Sequence, residues 1–274
     1  MTRILTSSWW RRGWIAVITL LASLLPALWS SAAASPNDPS APTERTRDQK
    51  LDLLRQEARA TPSSAETWRR LGEALFVAGK PAEAIPPFRR AAAIERRSGD
   101  AWVRLGGAYA AAGYHKQALD SFRRAVKLSP ADPAAWFALG AEEEHLNHHA
   151  QALPAFEKAS RLLPGGAASY NLGIVYGELN RFQDAASAYR MALTRQPGNA
   201  EAWNNLGVAY EKLGRSHDAL QAYSRAFLLQ PNNPTIVQNV TRAGARVRSP
   251  VNAAASQVRR AQPAGRSKNV TQSP

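Results

Sequence analysis

Residues 99–132 read GDAWVRLGGAYAAAGYHKQALDSFRRAVKLSPAD. Trp102, Leu105 and Tyr109 stand at i, i+3 and i+7, which is one face of a helix, and Ala118, Phe122 and Ala125 trace the matching face of a second. Between them Gly113 can take the left-handed backbone that ends a helix and reverses the chain, and Pro130 stops the second helix. Gly106 and Ala118 are small where two helices must approach, and the ring of Phe122 fills the space beside them. A hairpin of this size cannot hide its own apolar face, so it needs neighbours of the same kind.

The neighbours are present. Trp68, Trp102 and Trp136 lie 34 residues apart and each precedes a Leu-Gly pair, at Leu71-Gly72, Leu105-Gly106 and Leu139-Gly140. Leu172-Gly173 follows after 33 residues with Ser169 in the tryptophan slot, and Leu206-Gly207 follows 34 later with Trp203 restored. The second halves repeat as Ala84, Phe88, Ala91; Ala152, Phe156, Ala159; Ala185, Tyr189, Ala192; and Ala219, Tyr223, Ala226. Gly79, Gly113, Asn147, Asn180 and Gly214 share the slot for the left-handed residue, and Pro130, Pro164, Pro197 and Pro231 close four of the five units.

Over residues 65 to 233 this pattern closely resembles the tetratricopeptide repeat. The resemblance implies an all-α fold, a right-handed α-solenoid of five helix-turn-helix repeats (65–98, 99–132, 133–165, 166–199, 200–233) with a C-terminal capping helix at 234–246. The repeat domain is then 65–246. Two departures stand out in the first unit. Arg96 occupies the closing-proline slot, and Pro86-Pro87 falls inside the second helix, where two prolines in a row predict a kink or fraying; the third unit has a single proline there, Pro154.

Outside the repeats, 44–64 predicts a flanking helix ending near Ala60, with Leu51, Leu54 and Ala58 on one face that needs a partner. Residues 35–43 (SPNDPSAPT) predict a flexible spacer. Residues 1–34 order Arg3, Arg11 and Arg12 before an apolar run from Trp14 to Trp29 and the small stretch Ser30 to Ala34, the layout of a signal peptide cut after Ala34 or of an uncleaved signal anchor. Either alternative exports the body to a periplasmic or secreted location. Residues 247–274 hold no acid, leucine, isoleucine or aromatic residue and predict a basic disordered tail.

The 274-residue chain carries 35 Lys+Arg against 21 Asp+Glu, a formal charge of +14, and the two termini supply eleven of it, leaving +3 over residues 13–218. A globally basic nucleic-acid binder is therefore not expected. With no cysteine, thiol catalysis, disulfides and thiolate metal sites are excluded. No nucleophile-elbow, phosphate-loop or His-Glu-x-x-His pattern occurs, so the expectation is a non-enzymatic protein with no cofactor and no metal. The run from Glu142 to His149 (EEEHLNHH) reads as a solvated interhelix turn, because the helix end at Asn147 separates His145 from His149 and breaks a metal-binding face.

Two surfaces remain. The resemblance implies a concave groove lined by the first helices, which in relatives receives extended peptides or partner segments. Its candidate residues are Arg69, Arg70 and Arg104 as carboxylate receivers, Phe137 and Tyr170 as an apolar middle, and Asn171, Asn204 and Asn205 as backbone-bonding amides. The same residues also fit an unselected solvent-facing surface. The alternative is an envelope adaptor that meets anionic lipid or wall polymer through convex Arg89, Arg90, Arg123 and Arg124 and through Arg259 and Arg260 of the tail; these too are equally a solvated face. Asn239 and Asn269 match the glycosylation acceptor pattern, which matters only on a eukaryotic secretory route.

Overall fold

The computed structural model describes residues 44–164 and 166–248; the stretches read above as a signal segment (1–34) and a spacer (35–43), and all but the first two residues of the expected tail, Arg259 and Arg260 included, lie outside the described residues. Among the described residues there are twelve α-helices and no strand, which places the chain among all-α helical-repeat solenoids. No described helix is long and apolar enough to cross a membrane.

The chain divides into two compact units, one ending at Arg181 and one beginning at Phe182. The first contains α1 (Glu44–Ala60), α2 (Ala65–Val77), α3 (Pro81–Ile94), α4 (Gly99–Ala111), α5 (His115–Leu128), α6 (Pro133–His145), α7 (His149–Leu162) and α8 (Gly166–Glu178). Each helix packs on the next in chain order wherever a hairpin or a hairpin junction requires it, and α4 also touches α6. The expected partner of α1 is the first hairpin. Leu51, Leu54 and Ala58 are buried in one cluster with Leu71, Leu75, Ala84 and Phe88. The second unit contains α9 (Phe182–Arg195), α10 (Ala200–Lys212), α11 (Ser216–Leu229) and α12 (Pro234–Arg248), packed successively. α12 extends two residues past the expected end of the cap and buries Ile236, Asn239 and Ala243.

Local chemistry sets the helix ends. Ser64, Ser98, Asp132 and Asn199 stand immediately before α2, α4, α6 and α10, and each side-chain oxygen accepts from a backbone N–H of the first turn. Gly79, Gly113, Asn147, Asn180 and Gly214 all have positive φ, from 58° to 82°. In each case the next residue's N–H reaches back to the carbonyl five residues earlier, as Tyr114 does to Tyr109 at 2.8 Å. The interdigitation read from the repeat is also present, since a Cβ on Gly72, Gly106, Gly140 or Gly207 would lie 2.6–3.0 Å from the ring of Phe88, Phe122, Phe156 or Tyr223.

The expected fraying of the first unit's second helix is corrected: α3 runs unbroken from Pro81 to Ile94 with Pro86 and Pro87 inside it. The two prolines remove the donors for the Ala82 and Glu83 carbonyls, but both of those residues are exposed, where solvent can supply a partner, while Ile85, Pro87 and Phe88 are buried.

Candidate functional site

The first helices of the N-terminal unit (α2, α4, α6, α8) present the candidate groove positions. Arg69 bonds Glu66 and, at 2.5 Å, Glu73; Arg104 bonds Glu73 at 2.7 Å and Asp100 at 2.8 Å; Arg70 bonds Glu57 of α1 at 2.6 Å. Glu66 holds the Arg69 guanidinium further above its ordinary value, with Glu73 adding to the effect against partial burial. The reading as carboxylate receivers is therefore corrected for Arg69 and Arg104, which the chain's own carboxylates engage, while Arg70 keeps its side chain 47% exposed beside its one partner. Glu73 joins Arg69 to Arg104 across two hairpins, a role the sequence reading missed because it considered the cations alone.

Phe137 is also corrected. It is 2% exposed and packs edge-on against Phe156 with ring centroids 5.6 Å apart, so it belongs to the core of the third hairpin. Tyr170 and Asn171 are half-buried on α8. Asn171 Nδ2 donates to the Ala167 carbonyl at 3.0 Å, one turn back on its own helix, and its Oδ1 has no donor among the described residues.

In the C-terminal unit, half-buried Asn204 and Asn205 sit on α10 and are in contact through an Asn204 amide to Asn205 Oδ1 bond of 3.4 Å. Asn239 of α12 donates to Asn204 Oδ1 at 2.8 Å and accepts from Arg242 at 3.0 Å. Arg242 also bonds Glu211, which pairs with Arg246 and accepts from the Tyr223 hydroxyl at 2.9 Å. Burial, then the Glu211 carboxylate, pushes the Tyr223 phenol far above its usual range. Asn239, 8% exposed within this network, has no room for a glycan, which removes that acceptor pattern.

Of the second-helix arginines, Arg89 and Arg90 are exposed, and Arg89 borders a shallow notch of about 310 Å³ with Ile85, Pro86, Tyr109 and Tyr114. Arg123 bonds Glu143 at 2.9 Å, and the Arg124 guanidinium lies 4.2 Å over the ring of Trp102.

Of the Glu142 to His149 run only Leu146 to His148 forms the interhelix turn, with Asn147 and His148 exposed, and the expectation of a solvated turn is corrected for the two acids that open the run. Glu142 and Glu143 are 4% and 3% exposed, and they accept from His115, Arg123 and His148. The signal was available by aligning the units, since those two slots hold Ala or Val and Leu or Tyr in the other four. Among the described residues no group of three or more His, Cys, Asp or Glu is placed to hold a metal ion.

A tetratricopeptide repeat model matches residues 51–101, 137–200 and 170–234, and a second model of the same repeat matches 99–142. The chain belongs to the tetratricopeptide repeat family. A search of curated proteins returned no match. Among solved structures, this tetratricopeptide repeat chain is similar to YrrB, described as a TPR protein with an unusual peptide-binding site, at 19% identity and TM-score 0.58, covering 69% of this chain and 97% of that one. It is similar to MamA from Desulfovibrio magneticus RS-1 at 22% identity and TM-score 0.57, covering 62% and 97%. The Cut9–Hcn1 hetero-tetramer structure of the APC/C matches at 24% identity and TM-score 0.53, covering 75% of this chain and 41% of that one. At these identities the likeness is one of fold.

Proposed function

We propose that the protein is an exported, non-enzymatic scaffold that captures a partner protein or peptide on its first-helix faces. Tetratricopeptide repeat membership supports the general class, a protein-interaction scaffold. The export reading rests on the order of charge, apolar run and small residues in 1–34. The observation that carries the choice of surface is Asn171, a half-buried amide that gives one of its two N–H donors to its own helix and has a second N–H and a carbonyl oxygen with which to bond a peptide backbone. The second-helix face is the weaker candidate, because Arg123 and Arg124 are already engaged by Glu143 and Trp102.

The test uses peptides selected against the protein from a random display library. Asn171→Ala in the first unit and Asn205→Ala in the second are compared with the parent for peptide affinity and Tm. The expected outcome for Asn171→Ala is a loss of about 5- to 10-fold in affinity, the worth of one hydrogen bond, with Tm unchanged. Affinity unchanged in both variants rejects the first-helix assignment.

A further inference from the structure

Arg55 of α1, Arg89 of α3 and Arg123 of α5 follow one another at intervals of 34 residues, and two of the three are neutralised. Arg55 pairs with Asp52 one turn back at 3.0 Å and with Glu83 of α3 at 3.2 Å. Arg123 pairs with Glu143 of α6 at 2.9 Å and lies 4.0 Å from Asp120. Around Arg89 the positions equivalent to Asp52 and Glu83 hold Pro86 and Gln117, and those equivalent to Asp120 and Glu143 hold Pro86 and Tyr109. Every acid has thus given way to a neutral side chain, and Arg89 has no ion-pair partner among the described residues.

The replacements build the notch of about 310 Å³. Pro86, Tyr109 and Gln117 line it with Arg89, Ile85 and Tyr114. The exposed Tyr114 ring meets that of Tyr109 edge-on, with centroids 6.3 Å apart and planes at 86°. Two tyrosines and a proline ring offer flat apolar surface, and exposed Arg89 and Gln117 supply donors beside it. Aromatic-lined surfaces of this kind take extended proline-rich segments, and the guanidinium asks for a carboxylate within the segment.

The chain carries such a segment immediately before α1. Residues 35–43, SPNDPSAPT, place Pro36, Pro39 and Pro42 at every third position, and Asp38 is their one acid. With three residues per turn, polyproline II geometry sets those three rings on one side. Asp38 precedes a proline, which favours the extended backbone that geometry needs. The reach is adequate. Glu83, the partner of Arg55, is next in sequence to Ala82 of the notch, and α1 begins eleven residues before Arg55, about 16 Å along its axis. The six residues from Asp38 to Glu44 cover about 19 Å in polyproline II form.

We propose that residues 35–43 are an internal ligand of this notch, seated in polyproline II form with the Asp38 carboxylate on Arg89 and the proline rings against Tyr109 and Tyr114. The contact ties the segment ahead of α1 to the junction of the first and second hairpins. It uses none of the residues assigned to partner capture, so the two assignments stand or fall separately.

Because the chain has no cysteine, Ser40→Cys in the full chain gives a nitroxide label a single attachment point. The amide NMR signals of 85–89 and 114–117 are expected to broaden. A segment that is merely tethered nearby also broadens signals, so the variants decide. Arg89→Gln is expected to weaken docking about 2- to 5-fold, the worth of one exposed ion pair, and Pro36→Ser/Pro39→Ser/Pro42→Ser to remove most of the broadening. Arg89→Glu is expected to weaken it further, and Asp38→Arg added to Arg89→Glu to restore it. Dilution by about tenfold should leave the parent unchanged, as a contact within one chain requires. Absent broadening in the parent, equal broadening in all these variants, or no recovery in the charge-swapped chain overturns the proposal. Loss on dilution also overturns it and gives the notch to a second copy.

Discussion

At Gly106 a hydrogen atom stands where any other residue would drive a carbon to within 2.6 Å of the Phe122 ring, and that ring is 2% exposed with nowhere to retreat. Gly106→Ala is expected to cost about 1–3 kcal/mol by overpacking. Gly177, inside α8, has nothing within 4 Å of the point a Cβ would occupy, so Gly177→Ala is expected to gain about 0.5–1 kcal/mol from helix propensity. Urea unfolding of the two variants should give opposite signs, and a shared sign would refute the packing account. The glycine–aromatic apposition was legible beforehand because the same pair recurs in unit after unit at constant separation. The burial of Glu142 and Glu143 was not, because isolated acids in a chain ordinarily mean solvent, and only the proximity of His115 and Arg123 from another hairpin makes the interior tolerable.

The turn between consecutive hairpins shows what one substitution does to an element. Trp68, Trp136 and Trp203 each donate the indole N–H to the carbonyl of a proline six residues earlier, Pro62, Pro130 and Pro197. The equivalent residue for Trp102 is Arg96, and there the buried indole N–H has no acceptor. The Arg96 side chain instead bonds the Ala93 carbonyl. Glu95 has ψ of 57°, outside the helical region that a following proline disfavours and not far from the 71° to 87° of Ser129, Leu163 and Gln230, which precede Pro130, Pro164 and Pro231. Arg96→Pro is thus expected to raise stability by about 0.4–1 kcal/mol through the unfolded chain alone, read as a higher Tm. The missing proline could be seen in the sequence; the stranded indole needed the turn geometry.

At the scale of the whole molecule, the helical class, the hairpin order and the buried stripe of α1 could all be read from periodicity, since each follows from spacing within 34 residues. The division at Arg181 and Phe182 falls inside the fourth hairpin, where the spacing shortens to 33 and serine replaces tryptophan, and a reading by repeats passes over it. The capping helix was expected as a solvating end. Instead it buries Ile236 and brings Arg242 and Arg246 to Glu211, so it also holds α10 and α11. Ending the chain after Asn233 is expected to destabilise the C-terminal unit by at least about 2 kcal/mol, the worth of one buried branched side chain. Hydrogen exchange in α10 and α11 should report the loss, and undiminished protection there would show that the cap contributes only solubility.

The tryptophan spacing also equips the chain with its own optical markers. The first three hairpins each hold one indole, the fourth is dark, and Trp203 stands alone among the described residues of the C-terminal unit. Once the four tryptophans before residue 44 are replaced, chains that keep a single indole would emit from one hairpin at a time. Trp102, beneath a guanidinium and without a hydrogen-bond acceptor, should then be distinguishable by colour from its three proline-bonded counterparts.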